Sequence, residues 1–181
     1  MTTVQTIGHG TLAAGSFAAL LQGAGAARVV DVRSFPGSRR NPQFGREEMA
    51  SWLPEAQIEY LWMPELGGRR RPNSDSRHIA LRHAQFRAYA DYMETDQFVL
   101  GVSRLLLLAD ERPTVVMCSE SLWWRCHRRL LADYLALVRG AEVAHVLHDG
   151  RVNGHQPTDG VRLAGDRLIY DVGVTLPLPV L

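Results

Sequence analysis

Short β-rich runs alternate with segments of helical period along this chain, and that alternation limits the folds open to it. "TVVMC", residues 114–118, is an uninterrupted apolar run of the kind buried on both faces of a sheet. Val4–Ile7, Arg28–Val32, "IEYLWM" at 58–63 and "EVAHVLHDG" from Glu142 read as four more strands. Phe17, Leu20 and Leu21 recur at helical spacing, with Ser16 as the expected cap and Gly23 and Gly25 as the stop. Met49, Trp52 and Leu53 mark a second helix, with Pro54 near its end. Phe86, Tyr89, Ala90 and Met93 mark a third, and Phe98, Val102, Leu105 and Leu106 a fourth. Leu130, Leu131, Tyr134, Leu135 and Val138 give the last, closed by Gly140. "VRLAGDRLIYDV" reads as a hairpin turning at Ala164-Gly165-Asp166. The order implies one α/β domain over residues 1–181. It has a mostly parallel five-stranded sheet flanked by helices, with a C-terminal β-hairpin.

Composition excludes some functions. Net charge is only +1, so the chain is not a polycationic coat for nucleic acid. Its cations are arginines, whose planar forks suit phosphate and carboxylate, so their local clustering is the informative feature. The longest apolar run, Leu105–Ala109, is too short to span a bilayer, and "MTTVQTIGHG" has no basic-then-apolar leader. A cytoplasmic protein without a membrane partner is expected, with both cysteines reduced.

In parallel sheets, ligands bind outside the carboxyl ends of the strands. His9, Asp31 with Arg33, Glu65, Cys118 with Glu120, and His148 with Asp149 all fall at or just past predicted strand ends. Cys118 precedes a helix start, where the helix dipole stabilises a thiolate, and Arg125 and Arg128 add positive charge. Glu120 opposes ionisation. The alternative for Cys118 is a buried thiol ending a core strand. Cys126 and His127 are placed in the first helical turn beside the core-facing stripe, with His127 pointing toward the strand ends. Arg128 and Arg129 fall toward the wetter side.

Two loops carry most of the remaining chemistry. "RSFPGSRRNPQF" presents Arg33, Arg39, Arg40 and Asn41 with Phe35 and Phe44 interleaved. "GGRRR" adds Arg69, Arg70 and Arg71. Arginine forks hold phosphate in bidentate fashion, and aromatics between them can stack on a base. Cys118, Cys126, His127 and His9 are the ligands that zinc or iron would take, should a metal bind. Their spacing matches no closed zinc motif, and adjacent residues of a helix diverge by about 100°. No cofactor is required.

The motifs "TIGHG", "VVDVRSFPGSRRNPQF", "PELGG", "FRAYADYM" and "MCSE…RCHRRLLAD" occur in one order over roughly residues 4–155. With them the chain resembles the DUF488 family of uncharacterised proteins. "GHG" stands where many relatives have Gly-His-Ser or Gly-His-Asn, so Gly10 offers no hydroxyl or amide ligand. The resemblance implies site residues His9, Asp31, Arg33, Arg39, Arg40, Cys118, Glu120, Cys126, His127 and Arg128, and no reaction. The strand, cysteine loop and helix are also similar in layout to rhodanese sulfurtransferases, although "SESLWW" lacks their usual glycine.

The resulting expectation is an enzyme acting on a small phosphate-bearing or otherwise anionic, nucleotide-like substrate. Arg33, Arg39, Arg40, Asn41, Arg69, Arg125 and Arg128 would bind the anion. Cys118 would be nucleophile or ligand, His127 and Glu120 the acid/base pair, and Asp31 the residue orienting Arg33 or His9. The alternatives are a nucleic-acid-binding module without turnover and a rhodanese-like sulfurtransferase. The tail "VTLPLPVL" would pack on the domain or on a partner.

Overall fold

Five strands run parallel, and their order sets where a ligand can sit. β1 (Thr3–Gly8), β2 (Arg28–Asp31), β3 (Glu59–Trp62), β4 (Thr114–Cys118) and β5 (Glu142–Val146) lie in the order β3-β2-β4-β1-β5. A sixth strand, β6 (Val152–Gly154), adds antiparallel to β5. The computed structural model describes residues 1–37 and 39–174, so all of the tail beyond Val174 lies outside the described residues.

β4 is buried at every position, as its apolar run requires. Its side chains alternate between two cores. Val115 and Met117 pack on one face with Phe17, Leu21, Met49 and Leu53, which come from α1 (Ala14–Gly23) and α2 (Arg46–Glu55). Val116 and Cys118 pack on the other with Tyr89, Phe98, Val102, Leu130 and Leu135. Those side chains come from α3 (Ala84–Tyr92), α4 (Asp96–Glu111), α5 (Arg128–Asp133) and the π turn Tyr134–Val138 that continues it. The hairpin β7 (Val161–Ala164) and β8 (Arg167–Tyr170) forms a separate two-stranded sheet.

The connection after β1 crosses one face through α1, and the connection after β4 crosses the other through α5. The two adjacent strands stay paired through Gly10 and Ser119, and their connections then leave toward opposite faces, so a crevice opens beyond their carboxyl ends.

Three expectations change here. The main sheet has six strands, because "VNG" pairs through its backbone while its side chains stay exposed. α1 begins at Ala14, and Ser16 lies inside it rather than capping it. α5 begins at Arg128, so Cys126 and His127 precede it instead of occupying its first turn.

Candidate functional site

The crevice widens into a cleft of about 1100 Å³. Its floor carries Cys118, Cys126, His127, His9 and Arg33. Its rim carries Phe35, Asn41, Arg69, Arg71, Glu120 and Arg125.

Cys118 sits where β4 ends, and Cys126 and His127 follow a 3-10 turn at Trp123–Arg125. Cys126 is extended (φ −123°, ψ 154°), while His127 turns into the helix (φ −58°, ψ −17°). The change of backbone region swings their side chains together. The His127 Nδ1 lies 3.6 Å from the Cys126 Sγ and 3.9 Å from the Cys118 Sγ. All three potential ligand atoms fall within 4.8 Å of one another. Both cysteines are free and buried.

The two thiols interact, and they titrate in opposite directions. The neighbouring Cys126 and burial push Cys118 well above the ordinary thiol range. Burial also works to raise Cys126, but Cys118, His127 and Arg128 outweigh it and hold Cys126 well below that range. His127 and Arg128 thus favour the thiolate at Cys126, the neighbour of Cys118, which the sequence singles out as nucleophile or ligand.

His9 is fully engaged. Burial, then the Arg33 guanidinium, lowers its pKa from 6.5 to about 4. The neutral ring donates from Nδ1 to the Gly10 carbonyl (2.9 Å) and accepts at Nε2 from Arg33 (3.2 Å). Phe44 stacks on it at 4.1 Å. Its nitrogens are thus committed, and it is not a further metal ligand beside the two thiols and His127.

Arg33 is held beneath the floor. It donates to Asp31 through Nε and Nη2 (2.9 and 2.6 Å) and to the Phe44 carbonyl (2.8 Å). Asp31 is fully buried and also accepts from Tyr60 (2.7 Å). Of the two residues proposed for it to orient, Asp31 binds Arg33 directly.

Arg128 lies in the core at 1% exposure, not on the wetter side predicted for it. Its Nη2 donates to the Glu120 carbonyl and its Nη1 to Thr6 (3.4 Å). Gly8 makes this possible, because a Cβ there would collide with the Glu120 carbonyl. Arg128 thus anchors the loop after Cys118 and does not line the cleft.

The second loop closes over His127. A Cβ at Gly68 would strike the His127 ring, so only glycine admits this approach. Arg70 staples the loop by donating to the Gly67, Pro64 and Glu65 carbonyls, with its guanidinium 3.4 Å over Tyr92. Arg69, Arg71 and Arg125 stay exposed at the rim and have no carboxylate partner among the described residues. Arg39 and Arg40 are exposed on the first loop, outside the cleft lining. Phe35 is 73% exposed at the rim, whereas Phe44, its expected partner in base stacking, is buried.

Three of the five predicted strand ends meet in the cleft. Glu65 turns away to Arg104, His148 bonds the Gly8 carbonyl, and Asp149 pairs with Arg151. Phe86, Gln85 and Ser119 also line the cleft but are not among the expected site residues. Phe86 and Ser119 fall within two of the quoted motifs, yet spacing alone reads Phe86 as core-facing and gives Ser119 no role.

The family model described as "Domain of unknown function DUF488" matches residues 13–135. No curated protein and no solved structure matches the chain.

Proposed function

The chain belongs to the DUF488 family, and from that premise we propose that the cleft is the active site of an enzyme acting on a small anionic, nucleotide-like substrate. One observation carries this reading. Two buried thiols beside the His127 imidazole on the cleft floor lie below three rim arginines that have no carboxylate partner among the described residues. Arginine forks bind phosphate or carboxylate bidentately. Arg69, Arg71 and Arg125 would hold the charged group, and exposed Phe35 offers a face for a flat ring. Glu120, exposed at the edge, is the remaining acid/base candidate. Arg33 and Asp31 form a neutral buried pair that shapes the floor.

Alkylation of the cysteines in metal-free protein tests the proposal. Iodoacetamide should modify Cys126 faster than a free thiol at neutral pH. Inorganic phosphate should slow the reaction, and a nucleoside monophosphate should slow it more. Arg69→Ala with Arg125→Ala should remove the protection while the thiol stays reactive. Equal rates with and without both anions would overturn the reading.

A further inference from the structure

We infer that Cys118, Cys126 and His127 form a three-ligand site for a divalent metal of the zinc type, with its fourth position open to the cleft. Zinc takes thiolate at about 2.3 Å and imidazole at about 2.0–2.1 Å in tetrahedral geometry. Those lengths make the sulfur-to-nitrogen edge of the tetrahedron about 3.6 Å. The two such edges here are 3.6 and 3.9 Å. The two sulfur-to-nitrogen edges thus stand almost where a tetrahedron needs them, and the two sulfurs lie within 4.8 Å of each other.

The donor set is soft and borderline, which selects zinc-type ions over magnesium or calcium. All three residues line the cleft, so the vacant vertex faces the rim arginines. Three protein ligands with an open vertex is the pattern of a catalytic rather than a structural site. Both sulfurs bind the metal as thiolates, and any S–H proton still present goes to solvent. Nδ1 of His127 must be unprotonated, which puts the ring proton on the buried Nε2, an atom without a hydrogen-bond partner among the described residues. A dication with two thiolates is neutral, so the positive rim keeps its attraction for an anion at the open vertex.

The structure explains why the spacing conceals this site. A helix from Cys126 would spread Cys126 and His127 apart, and the extended backbone at Cys126 brings them together instead. Gly68 then lets the second loop cover the imidazole.

The inference shares only its location with the proposed active site. Cobalt(II) and zinc(II) are the probes, added to intact, chelator-treated protein. Cobalt should bind one per chain, with thiolate-to-cobalt charge-transfer absorption and the visible bands of a tetrahedral ion. Zinc should displace it and should protect both cysteines from iodoacetamide. Cys126→Ser and His127→Ala should each weaken zinc binding by about tenfold or more, with unchanged circular dichroism. Protection in the unmutated protein needs no variant, so a misfolded variant does not decide the matter. Absence of the cobalt bands, or zinc that leaves both cysteines fully reactive, would overturn the site. Phosphate protection of the metal-free thiols is read separately, so either proposal can fail while the other stands.

Discussion

At the scale of single residues, protonation separates floor groups that look alike in sequence. His9 and His127 are both histidines at element ends, yet only the second keeps a nitrogen facing the thiols. His9 faces Arg33, Asp31 and Arg128, and burial with the arginines dominates. His145 is fully buried, and burial, then His155 and Arg128, lowers its pKa to about 3. Both rings therefore stay neutral in the fold well below the ordinary 6.5. Between pH 6.5 and about 4 the unfolded chain binds these protons and the folded chain does not. Their contribution to stability is thus complete above pH 6.5 and is lost as pH falls toward 4. For His9 the loss is on the order of 3 kcal/mol. Proton NMR should show the His9 ring titrating near pH 4, and urea melts should show stability falling across that window. A His9 midpoint near 6.5 would contradict the Arg33–His9 geometry. The inward aim of His127 was legible from the spacing of the following leucines. The burial of Arg128 was not, because its partners are Thr6 and the Glu120 carbonyl, and no periodicity encodes a distant acceptor.

At the scale of elements, a buried polar chain ties the loop after Cys118 to the C-terminal hairpin. Asp133 in α5 only accepts, so the His155 Nε2 donates to it (2.8 Å). The His155 Nδ1 bonds the His145 Nε2 (2.9 Å), and the His145 Nδ1 bonds the Thr6 hydroxyl (2.7 Å). Thr6 accepts from Arg128, whose other nitrogen holds the Glu120 carbonyl. Trp123 stacks on His145 at 4.0 Å and so fixes the 3-10 turn before Cys126. At the far end, Asp133 accepts from the Thr158 N–H (2.9 Å) and from Tyr170 in β8 (3.0 Å). Asp133→Ala would strand three buried donors, at a cost of about 1–3 kcal/mol each when unsatisfied. We expect about 3 kcal/mol or more of destabilisation by urea unfolding, together with altered alkylation of Cys126. A loss under about 1 kcal/mol would show that the chain carries no load. The five parallel strands and the hairpin were legible because their apolar runs are local. β6 and the start of α5 were not, since one pairs by backbone alone and the other is set by where the loop is anchored.

At the scale of the whole molecule, topology and charge converge on one edge of the sheet. Because α1 and α5 cover opposite faces, the carboxyl ends of β1 and β4 remain uncovered. The alternation of strands and helices predicts an α/β sheet, but not this strand order, which depends on packing between segments far apart in sequence. Many arginines elsewhere are offset. Arg162 pairs with Asp171, Arg77 with Glu94, Arg104 with Glu65, and Arg28 with Glu59 and Glu111. A net charge of +1 thus conceals a cluster of cations at the rim of the cleft that have no carboxylate partner among the described residues. Charges of one sign around a concave, low-dielectric site focus the field and draw in anions. That field is screened over about 10 Å at 0.1 M salt. Two alkylating reagents of similar size but different charge report it. On metal-free protein, anionic iodoacetate should gain on neutral iodoacetamide relative to their ratio for a free thiol. Raising ionic strength from about 0.02 to about 0.5 M should slow the iodoacetate reaction severalfold and leave iodoacetamide nearly unchanged. Arg69→Ala with Arg125→Ala should flatten the salt dependence. Were both reagents to respond to salt alike in the unmutated protein, the rim arginines would not be steering anions to the thiols.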